Sequence, residues 1–350
     1  MSANDQIEDS IIRHQIMMLR YAKGLQLSSE AAITAILQGA VELIPVRREL
    51  TSLALRSLID DILGYYSQEF GAYTQNTITE MEDFAQYELD FNYKTLNQFS
   101  NIDAEIPEDY NVKIALGTNV MQLEPTKTYT IRQALQQFGG TKSVQVVQAI
   151  RQGVIAQQTT SAIVSAVMAL GGIQRRQAAT LSRTITNHVA TQTRKAFIKQ
   201  NQEYIREYKW IATLDDRTSL VCASRDQQVY KDIETSPKPP AHFNCRSTIT
   251  FVLAEEYDLG LDVKTKRPSV GPNGKVKQVD SNTSYSDWLI RQPLSFQEEV
   301  LGVTRAKLFR NGTISLDRFV DRNGQVYTLD ELRQQEPLIF ESLDDSGGAA

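Results

Sequence analysis

Both cysteines of this 350-residue chain, and one of its three histidines, fall within the segment Trp210–Arg246. The segment begins W-I-A-T-L-D-D-R-T-S-L-V-C and ends P-P-A-H-F-N-C-R. Asp and Ser side chains favour turns because they hydrogen-bond the neighbouring backbone, and consecutive prolines restrict the backbone before them. The pattern therefore predicts a small lobe whose loops are held by polar contacts or by a cross-link, and the flanking sequence has to fold around it.

Three residues of this segment are candidate metal ligands, namely Cys222, His242 and Cys245. A structural zinc site usually has four protein ligands. Zinc would therefore need a fourth ligand from Asp216, Asp226 or His188. The chain has no paired C-x-x-C motif. A zinc site and a Cys222–Cys245 disulfide both stay open, whereas a reducing cytosol favours packed thiols and no cofactor.

The acidic residues of the same segment raise the alternative of a metal-dependent nuclease. Clustered aspartates, together with His242, could hold a divalent cation for phosphodiester chemistry. Aspartates in turns more often accept hydrogen bonds from the backbone, and adjacent arginines more often form ion pairs with them. We therefore interpret the cluster as structural, with no catalytic residue. Its members are Asp215, Asp216, Arg217, Thr218, Cys222, Asp226, His242, Asn244, Cys245 and Arg246.

Two stretches, T-L-D-D-R-T-S-L-V-C and P-K-P-P-A-H-F-N-C-R-S, resemble the signature of the phage Mu F-like (MuF) family of phage head morphogenesis proteins. The likeness covers roughly residues 140–335. Many relatives have Asp-Gly where this chain has Asp226-Gln227, and Gln adopts a positive φ less readily than Gly does. This departure therefore weakens the expectation of a tight turn at this position.

The resemblance implies a minor capsid protein of a tailed phage without enzymatic activity. Proteins of this kind enter the procapsid, associate with the portal, and influence DNA packaging or DNA ejection. We expect the chain to be made in the host cytoplasm and to act in the virion, inside the phage head. The expected partners are the portal protein and other head proteins, with genomic DNA as a further candidate, and with no membrane and no small-molecule substrate.

Charge is distributed unevenly along the chain, although the net charge is only −5. Residues 77–109 contain nine acidic residues against one lysine, whereas residues 141–210 contain ten basic residues against two acidic ones. Such an asymmetry indicates separate partners, or docking of one segment on the other. A solvated helix face is the plainer interpretation of the basic segment. Its candidate phosphate contacts are Arg175, Arg176, Arg183, Arg194, Lys195 and Lys199.

The longest apolar-leaning stretch, 161–173, is shorter than the roughly 20 residues that a membrane-spanning helix requires. Apolar residues at spacings of three and four predict helices before residue 100. Ser28-Ser29-Glu30 suggests a helix start and Pro45 a helix end. Gly139-Gly140 and Gly171-Gly172 suggest helix breaks. Periodicity alone does not decide whether the N-terminal helices pack on the rest of the chain or extend as a partner-binding arm.

The predicted fold class is α+β, mainly α, with a helical N-terminal region followed by a helix-rich MuF-like domain that carries a small β/loop lobe. We divide the chain into a helical region (1–100), a connecting extended segment (101–130) and a MuF-like domain (131–255). An exposed loop (256–283), rich in Lys, Gly, Ser, Asn and Pro, follows. The C-terminal part of the MuF-like region (284–335) and an acidic, flexible tail (336–350) complete the division.

Overall fold

A computed structural model describes residues 2–45, 52–108, 113, 116–124, 127–260, 265–337 and 339–340. Ten α-helices and seven β-strands lie in these ranges. The helices are α1 (Ala3–Glu42), α2 (Ser52–Phe99), α3 (Ile131–Ile155), α4 (Thr160–Ala169), α5 (Gly171–Gln200), α6 (Leu220–Arg225), α7 (Tyr285–Ile290), α8 (Leu294–Leu301), α9 (Val303–Arg310) and α10 (Leu329–Gln335). The strands are β1 (Met121–Glu124), β2 (Lys127–Tyr129), β3 (Ile205–Ile211), β4 (Val229–Tyr230), β5 (Thr248–Leu253), β6 (Lys266–Val270) and β7 (Val276–Asp280). The predicted class, mainly helical α+β, is confirmed.

Helix α1 is a single helix of 40 residues, so the predicted start at Ser28-Ser29-Glu30 is wrong. The hydroxyl of Ser28 donates to the carbonyl of Gly24, one turn earlier, at 3.4 Å. The Ser29 hydroxyl lies 2.8 Å from the hydroxyl of Ser182 in α5, in a buried contact. Both serines therefore satisfy their polar groups inside the helix and across its interface instead of capping a new helix. The helix ends at Glu42, before Pro45, as expected.

Helix α3 passes through Gly139-Gly140 without interruption, which corrects the predicted break. A Cβ atom at residue 139 would lie 2.6 Å from Cγ of Phe70 in α2. Glycine at this position therefore lets the two helices approach each other closely. The other predicted break is confirmed, because α4 ends at Ala169 and α5 begins at Gly171.

The N-terminal helices pack against the rest of the chain and do not extend as an arm. Helix α1 lies along α5 and reaches β5, while α2 packs on α3 and α5. One apolar core joins Ile7 of α1, Phe84 of α2, Ile185 of α5 and Phe251 of β5, all of them buried. The helical N-terminal region and the domain that follows it therefore share a core.

A buried polar network crosses the same interface. Arg194 of α5 is 2% exposed and donates to Asn92 of α2 at 2.9 Å and to Thr248 of β5 at 2.7 Å. Its guanidinium lies 3.4 Å from the carboxylate of Glu88, which also contacts the His14 ring of α1. The acidic and basic segments therefore dock on each other here, as one of the two interpretations of the charge asymmetry predicted.

The central sheet is antiparallel, in the order β4-β3-β5. Trp210 pairs with Ile249 in its register, and both side chains are fully buried. Strands β1 and β2 form a separate two-stranded sheet within the segment for which extended structure was predicted. The sheet places the first stretch of the signature directly after β3 and the second directly before β5, so pairing of the strands brings the two stretches together.

Residues 266–280 form an antiparallel hairpin, β6-β7, which corrects the prediction of an exposed loop over 256–283. The amide of Val270 donates to the carbonyl of Leu214 at 2.8 Å and joins the hairpin to the signature. Arg267 and Ser269 on this hairpin are each 2% exposed. The polar residues of this segment suggested a loop, but some of them, such as Arg267 and Ser269, are buried and form hydrogen bonds within the fold.

The C-terminal helices enclose a separate apolar core, in which the rings of Trp288 and Phe296 meet edge to face at 5.7 Å between centroids. Tyr285 and Phe319 lie in the same core with no exposed surface. Most of the predicted tail, 336–350, falls outside the described residues. None of the described helices combines the length and apolar character that crossing a membrane requires.

Candidate functional site

The first stretch of the signature forms a turn around the Asp215 carboxylate. Its oxygens accept from both terminal nitrogens of Arg246, one of them at 2.7 Å, and from the amide of Arg217 and the hydroxyl of Thr218, both at 3.1 Å. Burial alone would raise the pKa of Asp215, but the hydrogen bonds and charge of Arg246 outweigh burial and hold the pKa below its usual value. The carboxylate therefore stays ionised and links the two stretches.

Asp226 is the centre of a second polar contact, and its side chain has no exposed surface. The amides of Ala212 and Tyr285 donate to it at 2.6 and 2.7 Å. The Arg267 guanidinium donates to both carboxylate oxygens, at 2.9 and 3.2 Å. Arg267 also donates to the backbone carbonyls of Ala212 and Thr283. The pair thus joins the end of β3, the β6-β7 hairpin and the start of α7.

Gln227 adopts φ of +65°, so the tight turn forms although the sequence has Gln where many relatives have Gly. Its amide donates to the Trp210 carbonyl at 2.8 Å, and its side-chain amide donates to the Ser281 carbonyl at 3.1 Å. Asn244 in the second stretch also has a positive φ, of +60°. The turns at Gln227 and Asn244 therefore both adopt the left-handed region without glycine.

Cys222, His242 and Cys245 converge, and their candidate ligand atoms all lie within 4.8 Å of one another. Cys222 Sγ lies 3.6 Å from Cys245 Sγ and 3.2 Å from His242 Nε2. Both thiols are buried and unbonded to each other, and His242 is half-buried. The Ser219 hydroxyl lies 2.8 Å from the same Nε2. His242 Nδ1 lies 2.8 Å from the Phe243 carbonyl, a contact in which Nδ1 must donate.

The three groups share their protons unequally. A hydrogen bond from Cys222 lowers the pKa of Cys245 well below its usual value, and His242 acts in the same direction. The same thiol contact raises the pKa of Cys222. Burial lowers the pKa of His242, but the hydrogen bond and charge of Cys245 outweigh burial, so the pKa is raised. Of the two thiols, Cys245 therefore gives up its proton more readily.

The acidic residues do not join this cluster among the described residues. The carboxylates of Asp215 and Asp226 face arginines, and Asp216 is exposed. His188 is buried in α5, and burial lowers its pKa to about 4. The arrangement that a metal-dependent nuclease would need, with several carboxylates around one cation, is not formed by these residues.

Residues 144–250 match the family model described as Phage Mu protein F like protein. This part of the chain is therefore similar to the phage Mu F-like family. The resemblance inferred from the signature is confirmed over this range, which runs from α3 through β5 and contains the cysteine cluster and both carboxylates. The match supports a protein of phage head morphogenesis. No curated protein and no solved structure gave a match to the chain.

The basic candidates in the range that matches this family divide into three groups. Arg194 is buried in the network with Glu88, which removes it from any surface that DNA could contact. Lys195 and Lys199 both bind Glu234, at 2.6 and 2.8 Å, and lower the pKa of that carboxyl to about 2. Arg175, Arg176 and Arg183 are half-buried or exposed along the earlier part of α5.

Arg183 lines a cavity of about 390 Å³ between α1, α5 and the signature. Three further basic residues line the same cavity, namely Lys23, Arg217 and Arg246. Burial lowers the pKa of Arg183, and repulsion by Arg217 adds to the effect. Sequence reasoning did not single out Lys23, because no nearby motif distinguishes it from other surface lysines of a helix.

Proposed function

We propose that this protein is a minor capsid protein of a tailed phage that acts inside the head, near the portal, in procapsid assembly and in genome packaging or delivery. The observation that carries the proposal is the Mu F-like match over residues 144–250. The site supports it, because the carboxylates of the signature are bonded to arginines and backbone amides in a way that suits a rigid scaffold.

The cavity beside Arg183 is the surface that we propose for DNA contact. Four basic side chains line it, and no acidic residue does, although Asp215 compensates Arg246 from the other side. Like charges held close together in a partly desolvated cleft are stabilised when an anion lies between them, because opposite charges attract more strongly away from bulk water. A DNA phosphate supplies that charge.

The same helix extends the proposed contact away from the cavity. Arg176 precedes Arg183 by seven residues in α5, so both side chains lie on one face about two turns apart. Arg176 is exposed, and no acidic partner is present in its described contacts. A basic helix face of this kind can contact successive DNA phosphates without contacting the bases, so the binding would not depend on the DNA sequence.

Charge neutralisation tests the DNA contact. The variant Arg176→Gln/Arg183→Gln/Arg217→Gln should bind double-stranded DNA more weakly, with a shallower salt dependence. Each phosphate contact contributes about 0.9 to the slope of log K against log salt, so the slope should fall by roughly 2–3. The matched control is Lys195→Gln/Lys199→Gln, whose lysines already bind Glu234. Equal slopes for the native chain and the triple variant would refute the contact.

For the head proteins, we propose the exposed face of α2 as the contact surface. Glu80 and Asp83 are exposed on this helix, whereas Glu88 is turned inward toward Arg194. Charge reversal at the two exposed residues, Glu80→Lys/Asp83→Lys, should lower incorporation of the protein into procapsids without unfolding it. Cross-linking of native procapsids should then connect α2 to the portal or to another head protein.

Quantitative mass spectrometry of purified procapsids and virions tests the function as a whole. We expect this chain in both particles, in copy numbers that follow the portal and not the major capsid protein. Absence from both particles would overturn the proposed function. Presence in procapsids but not in virions would overturn the role in DNA delivery.

A further inference from the structure

We propose that Cys222, His242 and Cys245 bind one zinc ion, which joins helix α6 to the loop before β5. The two cysteines and the histidine come from the two separate stretches of the signature. They meet because the ion-paired Asp215 and Arg246, and the pairing of β3 with β5, bring these stretches together. The proposal concerns metal binding and does not depend on the function in the phage head.

The distances match those of a tetrahedral zinc site. Zinc lies about 2.3 Å from a cysteine sulfur and about 2.0–2.1 Å from a histidine nitrogen, so tetrahedral angles separate two sulfurs by about 3.8 Å and a sulfur from a nitrogen by about 3.5 Å. The corresponding distances here are 3.6 Å between the sulfurs and 3.2 Å from Cys222 Sγ to His242 Nε2. Displacements of a few tenths of an ångström would accommodate the ion.

The histidine is held in the tautomer that a metal requires. Its Nδ1 lies 2.8 Å from the Phe243 carbonyl and must donate its hydrogen there, so the lone pair is left on Nε2, which lies 3.2 Å from Cys222 Sγ. Metal-binding histidines usually donate their other ring nitrogen to a carbonyl or a carboxylate in this way, because the contact fixes the ring orientation.

A set of three protein ligands leaves the fourth position of a tetrahedral ion to a small oxygen ligand. Ser219 and His242 line a cavity of about 900 Å³ on one side of the cluster. The Ser219 hydroxyl lies 2.8 Å from His242 Nε2, beside the place that the fourth ligand would take. We assign the fourth position to water from this cavity or to Ser219. Two protein thiols must lose their protons when the ion binds.

Metal analysis of the full chain tests the site. The protein is produced in zinc-supplemented medium without a histidine tag and purified under reducing conditions. We expect about one zinc per chain in the native protein, in line with one tetrahedral ion, and loss of at least about nine-tenths of it in His242→Gln and in Cys245→Ser. The matched control is His188→Gln, because His188 lines the same cavity but lies outside the cluster. This variant should keep its zinc.

A cobalt titration of the native, metal-free chain tests metal binding without the variants, so it remains informative if the variants do not fold. Bound cobalt should show the visible absorption of a tetrahedral ion and a sulfur-to-cobalt charge-transfer band, both saturating near one equivalent. Native protein that holds no zinc and gives no such bands would overturn the proposal. Zinc retained at the native level by His242→Gln would also overturn it, as would a Cys222–Cys245 disulfide that persists in the chain after purification under reducing conditions.

Discussion

The variant Asp226→Asn should destabilise the lobe around the signature severely, because it leaves a buried guanidinium without its counter-charge. Arg267 is 2% exposed, and Asp226 is the only carboxylate that its described contacts include. Removing one charged partner of a buried ion pair destabilises a protein by about 3–5 kcal/mol. The new side chain also brings an N–H donor against the amides of Ala212 and Tyr285, one of which loses its acceptor. Such a loss is a large part of the roughly 5–15 kcal/mol that stabilises a typical domain.

Tryptophan fluorescence during urea denaturation measures the stability of the lobe that contains Asp226 and Arg267. Trp210 and Trp288 are 0% and 3% exposed, and Trp210 lies two residues before Ala212 while Trp288 follows Tyr285 in α7. Both indoles should therefore report on the lobe that the pair holds together. We expect the unfolding midpoint of Asp226→Asn to fall far below that of the native chain.

Two further variants test whether the Asp226–Arg267 pair stabilises the lobe. Asp216→Asn, at an exposed aspartate in the same region, should change the free energy of unfolding by less than about 0.5 kcal/mol. Asp226→Leu combined with Arg267→Met should cost less than the sum of the two single changes, because neither residue is then left as an unpaired buried charge. A cost below about 1 kcal/mol for Asp226→Asn, or full additivity in the double variant, would show that the pair does not hold the lobe together.

Packing and buried charge also determine the effects of changes at Gly139, His188 and Asp215. Gly139→Ala should destabilise the protein by about 1–3 kcal/mol, because its Cβ would meet the Phe70 ring at 2.6 Å. Gly140→Ala, with open space around its Cβ, should instead stabilise by up to about 1 kcal/mol in thermal unfolding. The pKa of His188 is lowered from 6.5 to about 4, so the unfolded chain binds the extra proton. Native stability should therefore rise by about 3 kcal/mol from pH 4 to 6.5 relative to His188→Gln. Asp215 has a lowered pKa, so its contribution is present above its ordinary value of 3.8 and is lost as the pH falls below it. Arg246→Gln should reduce that loss.

Equal melting temperatures for the two alanine variants would mean that the α2–α3 contact relaxes freely. Parallel pH profiles of urea unfolding for the native chain and His188→Gln would mean that the ring is solvated. If Arg246→Gln lost as much stability at low pH as the native chain does, the guanidinium would not control the ionisation of Asp215.

Local sequence patterns predicted the parts of the site that depend on neighbouring residues. The Asp-rich turn forms, and Arg246 binds Asp215 as an ion pair, because short polar side chains and Pro-restricted loops leave few local arrangements. Arg217 contributes less than expected, since its side chain is 74% exposed and lies 3.8 Å from the same carboxylate. The family resemblance also followed from these residues.

Contacts between distant segments were not predictable in the same way. Arg267 occurs in a run of lysines, glycines and prolines, and nothing in that run distinguishes the one buried arginine from the exposed lysines. Gly139 looked like a helix breaker because its role, the close approach of Phe70, depends on a helix about 70 residues earlier. The geometry of the Cys222, His242 and Cys245 cluster likewise depends on the pairing of β3 with β5.

The attachment of α1 to β5 has a consequence for the order of events during synthesis. The Asn4 side chain accepts from the amide of Leu253, and the amide of Asn4 donates to Asp258, so the first turn of α1 is fixed by residues made about 250 positions later. At about 5–20 residues per second, α1 waits roughly 12 to 50 seconds on the ribosome for this partner. During that time the part of its apolar face that later packs on β5 is unprotected. Folding of the nascent chain therefore depends on what shields this face until β5 emerges.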